Sequence, residues 1–102
     1  MDKAPLEAAL ESSFDGSDRA RSVVARQARD LADAGLLTED LGVELTPEFV
    51  VSNLADAPDD YSLVERWNWW LGSLDLSHGG YNRFRVRPDI EDAGDAGDAG
   101  DA

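Results

Sequence analysis

Hydrophobic residues recur at helical spacing along most of this chain. Their period predicts four helices, at residues 5–14, 17–34, 47–56 and 60–77. Residues that favour helix ends support these boundaries: Ser17 and Thr46-Pro47 suit the starts of the second and third helices, and Gly35 suits the end of the second. The pattern therefore predicts a mainly α fold.

The fourth helix carries the largest apolar side chains of the chain. At about 100° per residue, six of them share one face and form the predicted core: Leu63, Val64, Trp67, Trp70, Leu71 and Leu74. Asp59 or Asp60 can cap its first turn, and Gly79 or Gly80 can end it. We expect the rest of the chain to fold around this helix, because aromatic residues bury the most area per residue.

A second apolar line, formed by Trp69 and Leu76, lies nearly opposite the core face of that helix. Another element of the same chain, an identical subunit or a different protein would each cover it. Gly72 and Ser73 are small and lower the helix propensity, which indicates close approach of another backbone at this point.

After the glycine pair, residues 81–87 alternate in polarity, which predicts a short β-strand. Arg83, Arg85 and Arg87 would lie on one side with Tyr81, and Phe84 and Val86 on the other. In a rival interpretation the helix stops at Gly72, and residues 73–77 pair with 81–87 as a hairpin. Between the second and third helices, residues 38–42 suit one helical turn or a loop, and residues 43–45 suit a short strand.

The net charge of -13 changes the picture from an ordinary helical protein to a strongly acidic one. Residues from Asp89 onward hold six of the 22 acids and none of the nine bases, so the body alone carries -7. We predict one helical domain over residues 1–88, followed by a disordered acidic Asp-Ala-Gly tail over 89–102, since that repeat has nothing to bury. The composition, rich in Asp and poor in Lys, is typical of proteins from cells that keep molar salt inside.

Candidate chemistry is sparse. The chain has no cysteine and one histidine, His78, which by itself is weak evidence for a general base or a metal ligand. We therefore predict no catalytic residues, no metal site and no cofactor. An acidic surface repels phosphate, which argues against nucleic-acid binding, and no apolar run is long enough for a membrane span. No secretory signal pattern is present, so we expect a cytoplasmic protein.

The run Glu65-Arg66-Trp67-Asn68-Trp69-Trp70, with Gly72-Ser73-Leu74 and Gly79-Gly80-Tyr81, resembles a group of small haloarchaeal proteins of unknown function. The resemblance covers roughly residues 60–87. It implies a shared central element and a salt-loving source, and it implies no activity or ligand.

The sequence favours a non-enzymatic, self-associating protein, a homodimer in its simplest form. The candidate interface comprises Trp69, Leu76, Tyr81, Arg83, Arg85 and Arg87. An adaptor that binds another protein through the same surface is the alternative hypothesis. Small-molecule binding or catalysis near His78 is a third.

Overall fold

The computed structural model describes residues 2–87, and these residues form five α-helices and one short 3₁₀ helix. The prediction of a mainly helical chain is confirmed. The elements are α1 (Lys3–Ser13), α2 (Asp18–Ala34), α3 (Leu36–Leu41), α4 (Pro47–Leu54), α5 (Leu63–His78) and the 3₁₀ helix Asn82–Phe84. The predicted tail at 89–102 lies outside the described residues.

Local capping chemistry explains most of the helix boundaries. Ser17 Oγ accepts a hydrogen bond from the Ala20 amide at 3.0 Å, and Thr46 Oγ1 accepts one from the Phe49 amide at 3.1 Å. Gly35 ends α2 with a φ of 73°, in the left-handed region that favours glycine. These three positions act as the sequence predicted.

Helix α5 begins three residues later than predicted. Its cap is Ser62, whose hydroxyl accepts from the Glu65 amide, while the Glu65 carboxylate accepts from the Ser62 amide. This reciprocal pair satisfies two amides that a single Asp would not satisfy, so it outcompetes Asp59 and Asp60 as the helix start. The helix then runs without a break to His78, and the hairpin interpretation of residues 73–77 is wrong.

Helix α2 lies at the centre of the packing. It contacts α1, α3, α5 and the 3₁₀ helix, while α4 contacts α1 and α5. Its inner face is built mainly of small side chains, which lets the neighbouring helices approach closely. All six residues of the predicted core face of α5 are buried in the cluster that these helices enclose.

No β-strand forms within residues 2–87, so the strand prediction at 81–87 is not supported. Residues 82–84 turn into the 3₁₀ helix instead, and residues 43–45 are not a strand either. In a 3₁₀ helix, residues three apart share a side. Tyr81 therefore joins Phe84 in the core, whereas the strand would have placed it among the arginines. Residues 81–87 are called the C-terminal segment below.

Candidate association surface

Trp67 fastens the C-terminal segment to α5. Its ring is fully buried, and its Nε1 donates a hydrogen bond to the Phe84 carbonyl at 2.8 Å. Trp70 packs edge-on against Trp67, with 5.6 Å between ring centroids, and edge-on against Phe49 at 5.9 Å. This geometry suits the opposite charge of aromatic edges and faces, so the two buried indoles form a firm base for the segment.

The side chain of Asn68 binds the main chain of the same segment. Its Nδ2 donates to the Val86 carbonyl at 2.7 Å, and its Oδ1 accepts from the Val86 amide at 2.9 Å. The side-chain amide thus supplies the donor and the acceptor that a neighbouring strand would supply. In the structure Phe84 and Val86 point inward and the arginines point outward, as the sequence predicted. However, the hydrogen bonds to the segment's backbone come from side chains of α5 and not from a neighbouring strand.

Asp75 and Asp40 hold the start of the segment. Asp75 Oδ1 accepts from the Tyr81 amide at 3.0 Å, and its Oδ2 accepts from Asn82 Nδ2 at 3.1 Å. The Tyr81 hydroxyl donates to Asp40 Oδ2 at 2.7 Å. Burial raises the pKa of the Tyr81 phenol above its ordinary value, and the hydrogen bond to Asp40 raises it further, so this hydroxyl stays protonated.

Trp69 and Leu76 face away from all of these contacts. Trp69 is 38% exposed and Leu76 is 90% exposed, although the other two tryptophans are buried. With Gly72 and Ser73 between them they line an open groove of about 540 Å³, bounded by Asn82 and Arg85. These four residues, Trp69, Gly72, Ser73 and Leu76, are called the Trp69 face below.

One arginine of the C-terminal segment, Arg85, borders the Trp69 face. The Arg85 guanidinium lies over Gly72, where a Cβ would stand 2.6 Å from Nη2. The small residue thus admits an arginine side chain and not a second backbone, contrary to the sequence-based expectation. Arg83 stacks over the Phe84 ring with 4.8 Å between Cζ and the centroid. Neither Arg83 nor Arg85 forms an ion pair with a carboxylate of residues 2–87.

Five of the six predicted interface residues are exposed, namely Trp69, Leu76, Arg83, Arg85 and Arg87. Tyr81 is fully buried and contributes its ring to the interior. Sequence reasoning did not find the roles of Asn68 and Asp75, because a polar residue on a helix gives no signal of which backbone it will meet. The missed cap of α5 does leave a signal in the sequence, since Ser62 and Glu65 stand at the spacing of a capping box.

His78 is the last residue of α5 and is exposed. In the part of the chain that the structure describes, no group of three or more His, Asp or Glu side chains is placed to hold a metal ion. Of the helices in this part, none combines the length and the apolar character needed to cross a membrane.

Comparison with known proteins places the tryptophan-rich run within a family match. The family model of the WNWW domain matches residues 1–75, which include Trp67-Asn68-Trp69-Trp70 and end before Gly79. Searches of curated proteins and of solved structures found no significant match. The match covers α1 to α4 and most of α5, whereas the C-terminal segment lies beyond it.

Proposed function

The chain belongs to the WNWW domain family, and from that premise we propose that it functions by association: the Trp69 face binds a second copy of the same chain. The main support for this proposal is that the four residues of the run Trp67-Asn68-Trp69-Trp70 lie in different environments. Trp67 and Trp70 are buried and Asn68 binds Val86, whereas Trp69 is exposed beside Leu76. Tryptophan is enriched among residues that dominate binding energy at protein interfaces.

The size and shape of the surface support this interpretation. An indole and a leucine set one above the other on a helix provide a rigid apolar anchor, and the groove between them is open to a side chain from a partner. Leu76 is the most exposed large hydrophobic residue among residues 2–87. Covering it removes apolar area from water, which favours association.

High salt favours contact between two copies of this acidic chain. Each copy carries -13, and the exposed Arg85 beside its Trp69 face forms no ion pair with a carboxylate of residues 2–87, so two copies repel each other at low salt. The proposal places the protein in the cytoplasm of a salt-accumulating cell, where the repulsion between two acidic chains is screened.

Sedimentation velocity at molar KCl, over a range of protein concentrations, tests the proposal. We expect wild type to dimerise and Trp69→Ala to weaken the dimer about 30-fold, which corresponds to about 1 kcal/mol from each of the two Trp69 side chains that the variant removes. Leu41→Ala is the matched control, because Leu41 is 42% exposed on α3 and is not part of the Trp69 face. The control should associate as wild type does.

A wild-type chain that stays monomeric at every concentration refutes self-association. An equal loss of dimer in Trp69→Ala and Leu41→Ala refutes the assignment to this face. The adaptor hypothesis uses the same surface with a different protein, and it predicts a monomer that binds an acidic partner in a manner dependent on Trp69.

A further inference from the structure

We draw no further inference here: the strongest candidate, the acidic groove that lies between α1 and α5 outside the Trp69 face, is lined by Glu11, Asp15 and Asp59, but no polar side chain of residues 2–87 is buried there to indicate a ligand.

Discussion

The Asn68 side chain forms two hydrogen bonds with the main chain of Val86: its Nδ2 donates to the carbonyl at 2.7 Å, and its Oδ1 accepts from the amide at 2.9 Å. This pair joins the tryptophan-rich run to a segment that the family match does not include. The Asn68 side chain on α5 therefore supplies the hydrogen bonds that a neighbouring β-strand would otherwise supply. Its loss should release the segment.

Asn68→Ala should destabilise the fold by about 2–3 kcal/mol, because it leaves a partly buried donor and acceptor of Val86 without partners. Urea midpoints at one fixed KCl concentration measure this loss. Asn53→Ala is the matched control, since Asn53 Nδ2 donates only to the Phe49 carbonyl within its own helix, and its removal should cost less than about 1 kcal/mol. Equal midpoints for the two variants would contradict the role assigned to Asn68.

Gly72 and Arg85 should be energetically coupled. Alanine favours a helix interior over glycine by about 1 kcal/mol, but its Cβ would stand 2.6 Å from Arg85 Nη2, so the guanidinium must move. We expect Gly72→Ala to gain less in the wild-type background than in Arg85→Ala, where the full propensity gain should appear. A double-mutant cycle by urea denaturation measures the difference. Additive effects would mean that Arg85 does not rest on Gly72.

Alkaline pH should unfold the chain through Tyr81. Its folded pKa is raised, by burial first and then by Asp40, above the value of about 10 in the unfolded chain. The stabilising contribution of the neutral phenol is complete below pH 10 or so and falls as pH rises further, because the unfolded chain then releases the proton more readily. Tyr81→Phe should show a shallower loss of stability than wild type between about pH 10 and 12 in chemical denaturation. Parallel curves would rule this origin out.

Added KCl should stabilise the fold. Ion pairs among the described residues include Lys3–Glu7 at 3.6 Å, Arg29–Asp30 at 3.7 Å and Arg21–Asp18, but the body still carries a net charge of -7. Most surface carboxylates therefore repel one another until salt screens them, with a Debye length near 3 Å at 1 M. We expect urea midpoints to rise with KCl.

The acidic groove between α1 and α5 offers a control for this salt effect. Glu11, Asp15 and Asp59 all line it. Asp15→Asn combined with Asp59→Asn should raise stability at low salt and leave it unchanged at molar salt. A wild-type midpoint that is flat or falling with KCl would reject the salt prediction.

The prediction at residues 81–87 shows where sequence reasoning reached its limit. Alternating polarity correctly separated Phe84 and Val86 from the arginines, but a strand and an irregular segment bound by side chains share that pattern. Helix α3 is a similar case: six residues between two glycines are too few for a clear period, so a helix, a turn and a loop gave the same signal.

The amino-acid sequence by itself determined four of the five described helices, the caps Ser17 and Thr46 and the apolar face of α5, because helix periodicity and capping depend on residues a few positions apart. It also determined that Trp69 and Leu76 would lie apart from that face. Only the tertiary structure decided that the segment after Gly80 packs on α5, that Asn68 and Asp75 bind its main chain, and that Tyr81 turns inward towards Asp40. These contacts join residues 6 to 41 positions apart, and their geometry depends on how the chain folds back at two glycines whose φ the sequence does not specify.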